Sequence, residues 1–179
     1  LDINVWELIC ISVRLPGGNI LQPGPGVGGQ CIAVDPWFIV DAVSDEAKII
    51  RAAREINDSK PAWVIEKVKH AAAASFKERP VILCLGLAFK ADIDDLRESP
   101  ALLITERLAN ERLGEIIAVE PNIDVQTASL AKLGVPLESL IVGLEKADVV
   151  VLLVDHSPFK EITLTQLGDA KLIDTRGIL

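Results

Sequence analysis

The run Val149-Val150-Val151-Leu152-Leu153-Val154 contains no polar residue and no alternation. A strand with one wet face alternates with period two, so an unbroken apolar run fits a strand buried on both faces, at the centre of a helix-covered parallel sheet. Val81 to Leu87 is a second buried strand, ending in Gly86, and Ile116 to Val119 and Leu172 to Asp174 are shorter ones. Helical patterns lie between them. Ser99 then Pro100 reads as N-cap and first helical residue, with Leu103, Ile104 and Leu108 facing inward. Leu137 to Lys146 reads as a short helix, and Thr165 to Gly168 as the end of another. Strands alternating with helices make βαβ units, so the expected class is α/β, a Rossmann-like parallel sheet.

The character differs before residue 80. Ile3, Val5, Trp6, Ile9, Cys10 and Val13 have helical spacing. Ala47, Ile49, Ile50, Ala53 and Ile56 mark an amphipathic helix over 45–58. Ser59, with Pro61 two residues on, predicts the start of a second helix carrying Val64, Ile65, Val68, Ala71 and Ala72. Residues 15–30 hold too many glycines and prolines for helix. The expected division is therefore a helical, loop-rich part over 1–75 and the sheet over 76–179.

Composition narrows the function. A mean hydropathy of +0.36 excludes disorder. A net charge of −8 disfavours non-specific binding to nucleic acid or anionic membrane. No apolar run reaches the roughly 18 residues of a membrane span, and Asp2, Asn4 and Glu7 break the pattern of a signal peptide. Three cysteines without close pairing suggest a reducing cytoplasm. The chain has no Met, which suggests a piece of a longer protein.

Chemistry concentrates in three segments. Gly24-Pro25-Gly26-Val27-Gly28-Gly29-Gln30-Cys31 formally contains G-x-G-x-x-G. A dinucleotide fingerprint needs a strand before it and a helix opening at it, and only Asn19 to Leu21 could form that strand. The better reading is a backbone that approaches a ligand closely and delivers Cys31 as a nucleophile, with Asp35 one helical turn on. Cys10 and Cys84 are expected in the core. Gly86 to Pro100 runs from a strand end through a charged loop to a helix start, the ligand position of open α/β sheets. There Lys90 and Arg97 either hold phosphates or pair with Asp92, Asp94, Asp95 or Glu98. Arg176, after the last strand, either faces the same crevice or is solvated. His70 and His156 are isolated and suggest surface or cap roles rather than a metal site.

In this order, Asn19 to Phe38, Gly86 to Lys90, Asp94 to Pro100 and Val154 to Ser157 resemble the UDP-glucose/GDP-mannose dehydrogenase family over essentially the whole chain. The stretch Ile32 to Trp37 is similar to the branch acting on UDP-N-acetylmannosamine; the UDP-glucose branch typically has Phe-Pro-Lys-Asp after its Cys. The resemblance implies a chain about twice this long, with an NAD-binding domain, a central dimerisation helix and a UDP-sugar domain, of which this chain matches the part after the central helix. It implies four-electron oxidation of a sugar C6 alcohol through a Cys31 thioester, with Asp35 positioning or activating water. Gly28, Phe89, Lys90 and Arg176 would contact a UDP-sugar and Arg97 the NAD, most of whose site would lie elsewhere. A homodimer is implied for the longer protein, and inactivity for this chain alone. Gln30 stands where relatives commonly carry His, and Gly17 where they carry an Arg, with Arg14 nearby. A sister UDP-hexose or UDP-N-acetylhexosamine dehydrogenase is the alternative within the family. A non-catalytic nucleotide-sugar module is the alternative outside enzymes, though such a module has no use for Cys31 with Asp35.

Overall fold

The computed structural model describes residues 4–12, 14, 22–75 and 77–179. Four parallel strands form one sheet: β1 (Val81–Leu85), β2 (Glu115–Val119), β3 (Val149–Leu152) and β4 (Lys171–Asp174), in the order β2-β1-β3-β4. β1 and β3 are the inner pair, as their unbroken apolar runs require. Gly86, at φ 91°, stops β1 earlier than the apolar run suggests. A Cβ there would meet the backbone nitrogen of Val154 at 3.0 Å, so the two inner strands cross closely only through glycine.

Seven α-helices are described: α1 (Val5–Ser12), α2 (Cys31–Ala42), α3 (Lys48–Ala73), α4 (Pro100–Glu111), α5 (Ala128–Leu133), α6 (Leu140–Lys146) and α7 (Leu164–Leu167). One sheet face packs Ile82, Cys84, Ala118 and Val151 against Val64 and Val68 of α3, Ile104 and Leu108 of α4 and Leu130 of α5. The other packs Leu83, Leu85, Val150 and Leu152 against Leu144 of α6, Leu167 of α7 and Phe159 in a short 3₁₀ turn. Ser99 caps α4 as expected, its Oγ accepting from the Leu102 N–H at 3.3 Å.

Several expectations need correction. The two helices expected over 45–58 and after Ser59 are one 26-residue helix, α3. Pro61 sits buried inside it rather than at a start; the Asn57 carbonyl, which loses its usual i+4 donor there, lies beside Gly26, and the Ser59 hydroxyl bonds back to the Ile56 carbonyl at 2.7 Å. The apolar set in its first half is not a buried face: Ile49 is 85% and Ile56 66% exposed, while Arg54 is buried. Leu103 turns outward beside the buried Ile104. Cys10 is exposed, because Ile9, about 100° round α1, takes the inward position. The helix expected from Leu137 begins at Leu140, Leu137 instead bridging to Ala118 beside β2. α5, capped by Thr127 and ended at Gly134, was not foreseen. No described helix is long and apolar enough to cross a membrane.

Candidate functional site

The chain leaves β1 toward β2 on one side and reaches β3 on the other, so the sheet reverses direction between its inner strands. Loops at the carboxyl ends of such strands diverge and leave a crevice. Here that crevice has a volume of about 470 Å³. One wall comes from strand ends: Ala88 to Ala91 after β1, Leu153 to Asp155 after β3, and Arg176 after β4. The other is the glycine loop, from Pro25 to Gly28, together with Ile32 of α2.

Four of the residues selected from sequence meet here: Gly28, Phe89, Lys90 and Arg176 all line the crevice. A Cβ on Gly28 would collide with the Glu98 carbonyl and stand 2.7 Å from Pro100 Cδ and 3.0 Å from Phe89 Cβ. The glycine therefore lets one wall pack directly on the other. Lys90 is exposed and forms no ion pair among the described residues. Arg176 is largely buried and pairs with Asp155 at 2.8 Å, which rules out the solvated alternative. Its guanidinium packs on Gly24, where a side chain would displace it. Asp174 arranges this turn by accepting the N–H groups of Arg176, Gly177, Ile178 and Leu179 at 2.6–2.9 Å.

Cys31 is the first residue of α2 and exposed, next to the crevice residue Ile32. Asp35 lies one turn on, also exposed, and is not part of the crevice wall. The run before Cys31 is irregular backbone over 22–30, leading into a helix without a described strand before it; Asn19 to Leu21 lie outside the described residues, as does Gly17. Gln30 precedes α2 without capping it, and Arg14 is exposed. Cys84 is in the core as expected, where burial pushes its thiol up to about 12.

Arg97 takes the ion-pair alternative. Its Nε lies 2.9 and 3.0 Å from the two Asp95 oxygens and its Nη2 is 2.5 Å from one of them. The guanidinium holds Asp95 down at about 2. Arg97 is exposed and outside the crevice wall.

Two supporting groups escaped the sequence. Asn57 of α3 grips the glycine loop by both backbone groups of Val27, accepting its N–H at 2.8 Å and donating to its carbonyl at 3.2 Å. Arg54, one turn earlier, donates to the Ile32 carbonyl at 3.3 Å while pairing with Asp58 at 2.6 Å. Single polar residues on a helix carry no spacing signal for such long-range grips. The second group is Glu120 with His156. His156 is fully buried rather than on the surface, and its Nε2 is 3.0 Å from Glu120 Oε2. A signal for this pair did exist, since each follows a buried strand run at its carboxyl end.

A doubly wound parallel sheet with its crevice at the direction reversal, rimmed by cationic side chains and a glycine loop, defines a nucleotide-binding class of domain. The family model described as "UDP-glucose/GDP-mannose dehydrogenase family, UDP binding domain" matches residues 83–179, and the central-domain model of the same family matches residues 1–59. The chain belongs to the UDP-glucose/GDP-mannose dehydrogenase family. It is 54% identical to an NDP-N-acetyl-D-galactosaminuronic acid dehydrogenase of Ralstonia nicotianae, over 99% of this chain and 41% of that protein. It is 52% identical to the UDP-N-acetyl-D-mannosamine dehydrogenase of Escherichia coli K12, over 98% of this chain and 43% of that one. The solved UDP-N-acetyl-mannosamine dehydrogenase Cap5O of Staphylococcus aureus superposes with a TM-score of 0.79 at 36% identity, over 99% of this chain and 41% of the other. The chain thus spans about two fifths of the length of these relatives.

Proposed function

We propose that this chain is the nucleotide-sugar-binding and nucleophile-bearing part of an NAD-dependent UDP-sugar 6-dehydrogenase. The observation that carries the reading is the convergence of Gly28, Phe89, Lys90 and Arg176 on one crevice, with Cys31 at its rim. Lys90 supplies positive charge for a diphosphate or sugar oxygens, Arg176, charge-paired with Asp155, supplies N–H donors, and the Phe89 face supplies apolar surface.

The overall conversion takes one primary alcohol, two NAD⁺ and one water to a carboxylate, two NADH and three protons. The Cys31 thiolate adds to the C6 aldehyde, forming a C–S bond and a thiohemiacetal. Water later attacks the thioester carbonyl, the C–S bond breaks and the electron pair returns to sulfur, with Asp35 orienting or deprotonating that water. Sulfur suits the role because it is nucleophilic near neutral pH and leaves well from a thioester. NAD⁺ supplies hydride acceptance. The glycine loop does not fit as its site, having no described strand before it, and Arg97, which the resemblance assigns to NAD⁺, lies outside the crevice wall. The dinucleotide is accordingly assigned to chain beyond these residues, and the chain alone is expected to bind nucleotide sugar without turnover.

Residues 1–75 are assigned to the central unit and 76–179 to the UDP-sugar unit. The stripe of Ile49, Ile56 and Trp63, exposed at seven-residue spacing on α3, supports a homodimeric full-length enzyme. A reducing, cytoplasmic setting suits the free thiols.

UDP-N-acetylmannosamine is the proposed substrate, on the sequence around Ile32 to Trp37. The similarity to N-acetyl-galactosaminuronic acid dehydrogenases favours a second reading, another UDP-N-acetylhexosamine. Product analysis of a full-length protein carrying this chain, offered each UDP-sugar with NAD⁺, separates the two. UDP-N-acetylmannosaminuronate is the expected product; a galacto-configured uronate supports the second reading, and a UDP-glucuronate product contradicts both.

A further inference from the structure

The loop that carries Phe89 and Lys90 is pinned at both ends by one buried polar unit, Glu120 with His156. At its start, Glu120 Oε2 accepts the N–H of Leu87 at 2.7 Å and of Ala88 at 3.1 Å. At its end, His156 Nδ1 accepts the N–H of Asp92 at 2.9 Å. The two side chains join through His156 Nε2 and Glu120 Oε2 at 3.0 Å. Because Nδ1 accepts from a backbone N–H, the ring proton belongs on Nε2 and is donated to Glu120. Glu120 Oε1 accepts the Asn122 N–H at 3.1 Å, bringing the β2 loop into the same cluster.

The end of the loop needs this hold. Asp92 adopts φ 59°, a left-handed conformation unusual outside glycine. Besides its bond to His156, its carboxylate accepts the Ser157 N–H at 2.8 Å and the Ser157 hydroxyl at 2.7 Å. Phe159 closes the opposite side, edge-on to the imidazole at 5.5 Å between ring centres. Neither Glu120 nor His156 lines the crevice, and both side chains are fully buried. A buried ion-capable pair is costly to desolvate and is weak as a source of stability. What this one does is join the loops after β1, β2 and β3 at fixed spacing.

We infer that Glu120 and His156 are positioning residues for nucleotide-sugar binding: together they hold the Leu87–Asp92 loop in the conformation that presents Phe89 and Lys90 to the crevice. The inference rests on the crevice being the nucleotide-sugar site, as proposed above.

The test uses His156→Leu, which keeps bulk but removes the hydrogen bonds to Glu120, the Asp92 N–H and Asn122 Nδ2, and His156→Asn, whose Oδ1 can replace Nδ1 as acceptor for Asp92. UDP affinity is measured by calorimetry on the chain, with amide exchange at Leu87, Ala88 and Asp92 and with thermal midpoints. Leu130→Ala, a core change on α5 that touches none of the loop's polar partners, serves as the control for lost stability alone. His156→Leu should weaken UDP binding about tenfold and expose the Asp92 amide, while His156→Asn recovers affinity to within about threefold of wild type. Leu130→Ala should lower the midpoint and leave affinity unchanged. If folded His156→Leu and Glu120→Gln both bind UDP like wild type, or if affinity merely follows the midpoint across all variants, the positioning role is overturned. If the wild-type chain binds no UDP, it is the reading of the crevice that fails, and the inference falls with it.

Discussion

The two walls of the crevice are held in different ways. The strand-end wall rises from the sheet core and is cross-braced by Glu120, His156 and Asp174, buried or half-buried residues that accept backbone N–H groups. The glycine-loop wall has no strand beneath it among the described residues and hangs from α3 through Asn57 and Arg54. The wall that carries Lys90 and Arg176 is thus anchored in the sheet, and the wall that leads to Cys31 depends on two side chains and on close backbone contact. Binding needs a fixed charge pattern, which a sheet supplies; delivering a nucleophile needs a backbone that approaches the ligand, which glycine supplies.

Substitutions can break that contrast, and the most disruptive is expected at the seam. Gly28→Ala places a methyl against the Glu98 carbonyl and the Pro100 ring, both backbone-fixed. It should cost on the order of 3 kcal/mol by urea unfolding, or else displace the glycine loop and abolish UDP binding. Next is Asn57→Ala, which leaves the Val27 N–H and carbonyl without their partner. A loss of about 2 kcal/mol is expected, with protease sensitivity rising at residues 22–30 and not at the strand-end loops. Equal loosening of both walls would erase the distinction between them.

A smaller effect should come from pH. Burial raises the Glu120 carboxyl, but the hydrogen bonds from His156 and from the Leu87 and Asn122 amides outweigh it and hold it below its usual 4.5. A carboxyl lowered on folding contributes stability above the unfolded value and loses that contribution as pH falls through the folded one. Urea unfolding should therefore show wild-type stability declining below pH 4.5, and Glu120→Gln should flatten part of that decline. The smallest effect is expected at Arg97, whose guanidinium is exposed in its pair with a half-buried Asp95. Arg97→Ala should leave the midpoint and UDP affinity unchanged.

What could be read from the sequence follows the same division. The inner strands were legible because an apolar run without alternation has one physical solution, and the α4 start was legible because Ser99 and Pro100 are local signals. Lys90 and Arg176 were legible because an α/β sheet places its ligands at strand ends, whereas Gly28 and Phe89 came only from the family resemblance. The division of α3 was misread because Ser59 and Pro61 carry start signals that the packing of Val64, Val68 and Arg54 overrides. The amphipathic face of Ile49 and Ile56 was legible but not its exposure, because periodicity identifies an apolar face without saying what covers it. His156 was misread because its place after a buried strand run was not matched with that of Glu120, which lies 36 positions away and meets it only once β1, β2 and β3 align.

The division of labour between the walls is tested most directly by titrating UDP into the wild-type chain, Lys90→Ala and Cys31→Ala by calorimetry. Wild type and Cys31→Ala should bind alike, and Lys90→Ala about tenfold more weakly. A Cys31→Ala chain that loses affinity beside a Lys90→Ala chain that keeps it would place the nucleotide on the glycine-loop wall and contradict the assignment.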